Sequence, residues 1–117
     1  MPNLHLIVIK TNQPAAQAAF YTRLGFQFDY HRHGNGPFHY ASKNSNMVLE
    51  IYPLPKAITT ADNTTRLGFM VDDLDSLMKA LPTENIITAA SQTEWGYAAL
   101  VQDLDGRKIE LQQTPGK

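Results

Sequence analysis

His5, Glu50, Arg66 and Glu110 are the residues of this 117-residue chain whose types and positions could hold a cation or move a proton. Each falls in or beside a segment that reads as a β-strand, where alternate side chains share a face. His5 travels with Ile7 and Ile9, Glu50 with Val48 and Tyr52, Arg66 with Gly68 and Met70, and Glu110 with Lys108 and Gln112. Two carboxylates, an imidazole and a guanidinium are expensive to bury without a purpose. Imidazole nitrogen and carboxylate oxygen are ligands for a first-row dication, and a carboxylate can also transfer a proton. Arg66 offers no lone pair and cannot be a ligand.

A second group of titratable residues lies in His31-Arg32-His33-Gly34-Asn35-Gly36-Pro37-Phe38-His39-Tyr40. His31 and His33 share a strand face and His39 returns across a turn, so imidazoles can approach one another. Two histidines at that spacing can chelate. Without a third ligand they describe equally a solvated hairpin end. Trp95, ahead of a later strand, could wall a pocket or simply pack. Asp72, Asp73 and Asp75 cluster where a helix should start, and Asp103 and Asp105 flank a turn with Gly106; capping and turn chemistry account for both groups. Met47, Met70 and Met78 sit among apolar neighbours and are expected in the core.

The elements that position these residues can be read from periodicity. Leu4 to Ile9 reads as a mostly buried strand. Thr11 or Asn12 can cap a helix with Pro14 in its first turn, with Ala16, Ala19, Phe20 and Leu24 as its apolar stripe and Gly25 at its left-handed end. Phe26–His33, Phe38–Lys43 and Met47–Tyr52 read as strands, with Asn44-Ser45-Asn46 as one of the turns. A stretch rich in proline and threonine then changes the pattern. Beyond it come a strand at Leu67–Val71, a helix capped by Asp72 or Asp73 and ended by Pro82, and strands at Asn85–Ala90, Tyr97–Gln102 and Lys108–Gln112. The order is the same twice. Leu6 matches Leu67 at an offset of 61, whereas Glu50 matches Glu110 at 60, which suggests one residue of slippage. We therefore expect one domain over 1–117, with a first βαβββ module at 1–53, a linker at 54–65 and a second module at 66–117.

Composition narrows the function. With 10 Lys plus Arg against 11 Asp plus Glu, the chain has no basic field for nucleic acid. The absence of cysteine removes thiolate nucleophiles and sulfur-ligated metals. No apolar run is long enough to cross a bilayer, so no membrane partner is expected and a cytoplasmic location follows by default.

The segments His5-Leu-Ile-Val-Ile, Phe20-Tyr-Thr-Arg-Leu-Gly-Phe26, Arg66-Leu-Gly-Phe-Met-Val-Asp-Asp-Leu-Asp75 and Trp95-Gly-Tyr-Ala-Ala-Leu-Val-Gln-Asp-Leu-Asp-Gly-Arg-Lys-Ile-Glu-Leu111 resemble the vicinal oxygen chelate superfamily. That superfamily includes glyoxalase I, extradiol dioxygenases and the fosfomycin- and bleomycin-resistance proteins. The resemblance spans nearly the whole chain, although the usual Asp-Pro-Asp-Gly turn stands here as Asp103-Leu-Asp-Gly106. It implies an α+β fold in which two βαβββ modules curve mixed sheets around a central cavity. Carried over by position, the family's metal site falls on His5, Glu50 and Glu110, with Arg66 in place of a ligand. It also makes His39, Tyr40, Arg32 and Trp95 substrate contacts and implies a homodimer, as exposed sheet edges favour.

Two functions follow from the resemblance. In the preferred one, a metal-free binding protein holds a small molecule, which Arg66 would favour as an anion. Opposed unit charges at ~4 Å interact by about 4 kcal/mol at an effective dielectric near 20, so a guanidinium can fill a dication's place. The alternative is a glyoxalase-like lyase or dioxygenase in which His5, Glu50 and Glu110 hold Zn, Ni, Fe or Mn. There Glu50 or Glu110 would move the proton and Arg66 would steer an anionic substrate.

Overall fold

A computed structural model of the protein describes residues 1–44 and 46–116. Ser45, in the expected Asn44-Ser45-Asn46 turn, lies outside the described residues. The chain divides into two compact units, 1–62 and 63–117.

The first unit contains strand β1 (Leu6–Thr11), helix α1 (Pro14–Arg23), and strands β2 (Asp29–His31), β3 (His39–Asn44) and β4 (Met47–Pro53). The sheet order is β1-β4-β3-β2, parallel between β1 and β4 and antiparallel elsewhere. Pro14 occupies the first helical turn, where its missing N–H costs nothing. Gln13 is the N-cap without a side-chain cap bond, and Thr11 Oγ1 accepts instead from the Gln13 backbone N–H at 3.2 Å. Gly25, at φ +112°, makes the left-handed exit from the helix.

The helix buries Gln17, Ala18, Phe20, Tyr21 and Leu24, while Ala16 and Ala19 are exposed. Phe20 and Leu24 are buried as expected, but Gln17, Ala18 and Tyr21 replace Ala16 and Ala19 in the buried stripe. Burial of the Phe20 and Tyr21 rings, which meet edge to face at 5.7 Å, outweighs that of two methyl groups and sets the rotation. Strand β2 is also shorter than expected. Phe26 and Phe28 precede its ladder and pack as rings against Tyr21 and Tyr40 rather than pairing as strand.

The second unit repeats the order with β5 (Leu67–Val71), α2 (Leu74–Lys79), β6 (Ile86–Thr93), β7 (Gly96–Gln102) and β8 (Lys108–Gln113), arranged β5-β8-β7-β6. A short 3-10 turn at Thr83–Asn85 precedes β6. Asp73 caps α2, accepting from the Ser76 N–H at 3.2 Å and the Ser76 hydroxyl at 2.8 Å. Hydrogen bonding from Ser76 holds the Asp73 carboxyl below its ordinary pKa.

Register corrects the internal alignment. Ile7 stands opposite Leu49 and Leu67 opposite Ile109, an offset of 60 on both strands. The helices begin at Pro14 and Leu74, again 60 apart. No slippage exists between helix and last strand, and the counterpart of Arg66 is Leu6 rather than His5. Pairing geometry fixes which face a residue occupies, whereas an apolar match such as Leu6 to Leu67 tolerates a one-residue shift.

Each sheet has a helix-covered face and an open one. Ile9, Leu49 and Ile51 are buried in the first unit, and Leu67, Ile109 and Leu111 in the second. The alternate residues Leu6 and Val8 are about two-fifths exposed, and Met70 is 56% exposed, against its expected place in the core. Met70 follows Arg66 and Gly68 along the open face.

Candidate functional site

The open face of the first unit carries an imidazole cluster. His31 is the cross-strand partner of His39, and Ala41 is the partner of Glu50. Antiparallel partners share a face, as do residues two apart, so His31, His39, Glu50 and Tyr52 all project the same way. The turn after β2 is closed by the Gly36 N–H donating to the His33 carbonyl at 2.9 Å, with Gly34 at φ +55°. This brings His33 alongside. The His31, His33 and His39 ring centroids lie 4.6–5.2 Å apart.

His39 is the fixed member, at 1% exposure. Its Nδ1 is 3.2 Å from the Pro37 carbonyl, which can only accept, so Nδ1 carries a proton, and in the neutral ring the Nε2 lone pair is left for other partners. Nε2 lies 3.5 Å from Glu50 Oε2 and 3.4 Å from the Tyr52 hydroxyl. The Tyr52 and His39 rings stack at 4.1 Å and 8°. Burial, and then the Glu50 charge, raise the Tyr52 pKa, so the phenol stays neutral and can donate to Nε2. One ligating atom from each of His31, His33, His39 and Glu50 fits within 4.8 Å of all the others, so these four residues could hold a metal ion.

The other hairpin residues sit apart from this cluster. Tyr40 pairs with Tyr30 and Ile51, which puts it on the opposite face, and its ring lies 4.6 Å from that of Tyr30. The Arg32 guanidinium stands over Phe38 at 5.0 Å, a cation–π contact. His5 is exposed and precedes β1; its carbonyl accepts from the Val48 N–H at 2.8 Å. By alternation His5 belongs with Ile7 and Ile9, the partners of Leu49 and Ile51, and not with Val8, the partner of Glu50.

The open face of the second unit is built differently. Gly68 pairs with Glu110 and Leu100 also pairs with Glu110, which places Arg66, Leu100 and Glu110 on one side. With Trp95, Ser91 and Ala98 they line a cleft of about 150 Å3. Ala98 faces Gln112 across the strands, where the first unit has the His39 and Tyr52 rings. A methyl in place of an imidazole leaves the space open.

Trp95, 74% exposed, sits at the tip of the β6–β7 hairpin. The Gln112 amide donates to its carbonyl at 2.6 Å, and Thr93 Oγ1 accepts from its N–H at 3.1 Å. Gly96 then takes φ +131°, and a Cβ there would meet Gln112 Nε2 at 3.0 Å. Gly96→Ala is therefore expected to cost about 1–3 kcal/mol in backbone strain, measurable by urea denaturation. It should also release the Gln112 amide and shift the Trp95 emission.

Two unbroken βαβββ units with mixed sheets define a glyoxalase/bleomycin-resistance-type fold, the fold of the vicinal oxygen chelate superfamily. TnmS3, an antibiotic-binding protein from Streptomyces sp. CB03234, shares that fold at 19% identity over 98% of each chain, with a TM-score of 0.72. TioX from Micromonospora sp. ML1 is 17% identical over 94% of this chain and 97% of its own, with a TM-score of 0.70. A glyoxalase candidate from Bacillus halodurans is 16% identical over 95% of each chain, also at 0.70. At such identities the likeness establishes the fold. No protein-family model matches the chain, and no curated protein sequence matches it. Among the described residues, no helix is long and apolar enough to cross a membrane.

Proposed function

We propose that the protein binds a small anionic molecule with a flat apolar body, and that the second-unit cleft supplies the contacts. The observation that carries this reading is one open cleft lined by an exposed indole, apolar Ala98 and Leu100, and the Arg66 cation. A volume near 150 Å3 accommodates about one six-membered ring. The indole offers a stacking face, and Arg66 a planar fork for a carboxylate or sulfonate. Glu110, on the same side, would repel a second anionic group and accept from a hydroxyl or amine. A binding role agrees with the description of TnmS3 as an antibiotic-binding protein.

The alternative, a metal-dependent lyase or dioxygenase using His5, Glu50 and Glu110, finds less support. Position 66 is an arginine, its register counterpart Leu6 has no donor atom, and His5 alternates away from the Glu50 face. Glu110 then acts in ligand recognition instead of proton transfer.

Trp95 is the sole tryptophan, so its emission reports directly on the cleft. Titration with aromatic carboxylates and sulfonates is expected to give a saturable change in that emission. A charge-assisted hydrogen bond contributes about 1.5–3 kcal/mol, so Arg66→Ala should weaken binding by roughly 10- to 150-fold. Arg66 is exposed, so stability should hardly change. Equal affinities for Arg66→Ala and the parent protein would refute the assignment.

A further inference from the structure

We infer that the first unit contains a transition-metal site of its own, formed by His31, His33, His39 and Glu50. This donor set shares only Glu50 with the one that the family resemblance implies, and it needs no residue of the second unit. It stands independently of the proposed ligand cleft, so either can fail alone.

Chemistry and geometry both favour a metal. Three imidazoles and one carboxylate, with no thiolate, suit a borderline first-row dication such as Zn2+, Ni2+ or Co2+ better than Mg2+ or Ca2+, which prefer all-oxygen shells. Ligand distances of about 2.0–2.1 Å put tetrahedral donors roughly 3.4 Å apart. His39 Nε2 and Glu50 Oε2 are already 3.5 Å apart, and the whole set fits within 4.8 Å. The remaining contraction falls to His31, half-buried, and His33, exposed, whose side chains have room to turn at the hairpin end. The least mobile ligand is also the best prepared. The Pro37 carbonyl takes the His39 Nδ1 proton and leaves Nε2, 3.5 Å from Glu50 Oε2, as the ligating atom, the usual outer-shell support of a metal-bound histidine. Tyr52, stacked on His39, holds that ring in place, and its 3.4 Å hydrogen bond to Nε2 is long enough to yield to a metal. With neutral imidazoles the four ligands carry one negative charge, so a dication leaves a net +1 and is not repelled.

Clustering of three histidines could instead be a by-product of a polar hairpin. Burial argues otherwise: a solvated hairpin end does not require a histidine at 1% exposure with Nε2 3.5 Å from a carboxylate and its ring 4.6 and 5.2 Å from two further imidazoles.

The test uses tag-free, chelator-stripped protein titrated with Co2+ and followed by its visible d–d absorption, with Zn2+ calorimetry in parallel. Saturation at one equivalent is expected. His31→Ala/His33→Ala, confined to the hairpin end, should weaken binding at least 100-fold with the circular dichroism unchanged. Glu50→Gln should weaken it about tenfold or more. His5→Ala, which removes the only histidine outside the cluster, should have no effect. Absence of saturable binding overturns the inference. Unchanged affinity in the double variant or in Glu50→Gln, or an equal loss in His5→Ala, overturns the ligand set.

Discussion

Arg107→Ala is expected to destabilise the protein by about 3–5 kcal/mol, the cost of leaving a buried charge without its partner. Arg107 and Asp103 are 3% and 2% exposed, and the guanidinium donates to Asp103 Oδ2 at 2.6 Å. The other carboxylate oxygen accepts from the backbone N–H groups of Asp105 at 2.9 Å and Arg107 at 3.1 Å. One carboxylate therefore closes the β7–β8 turn and neutralises the cation beneath it. The removal of either partner takes away the other's buried countercharge, so Asp103→Ala should cost a similar amount. The double variant should cost much less than the sum, since neither charge remains. For a chain of this size, a melting temperature lower by roughly 10–20 °C would register the single variants. Two small, additive losses would mean that the pair is hydrated.

The same turn shows how far residues alone could be read. Asp103 and Asp105 around Gly106 announce a turn, and the turn is there. Nothing in the one-dimensional pattern says that Arg107 folds under it, because burial of an ion pair depends on what packs above. Strands and helices were legible because alternation and capping are local: Pro14, Gly25 and Asp73 act where their chemistry places them. The helix phase was not, since alanine fits either face and only the Phe20 and Tyr21 rings choose between them. His31, His33 and His39 could be seen approaching one another, but Glu50 joins them only through the order β2-β3-β4, a long-range fact. His5, which the family resemblance joins to Glu50, alternates with Ile7 and Ile9, and only the β1–β4 pairing, again a long-range fact, shows that Glu50 stands opposite Val8. A repeat aligned on apolar identity allows a one-residue slip, and in a strand that slip exchanges the two faces. On the second unit, where Leu67–Val71 and Lys108–Gln113 pair without ambiguity, Arg66 and Glu110 do share a side.

That division into faces carries the last expectation. Leu49 and Ile109 are register counterparts, each fully buried beneath its own helix. Truncation of either to alanine removes buried methyl groups and leaves a cavity, and should cost about 2–5 kcal/mol in urea denaturation. Amide exchange should localise the damage, with faster exchange in β1 and β4 for Leu49→Ala and in β5 and β8 for Ile109→Ala. Leu6→Ala and Met70→Ala, on the open faces, should stay within about 0.5 kcal/mol of the parent. The contrast matters for function as well as for folding. A Met70→Ala cost comparable to that of Ile109→Ala would mean that the Arg66–Glu110 side is packed and closed, and a closed face has no room for a ligand. Near-silence at Met70 beside a large loss at Ile109 would leave that face open to a ligand.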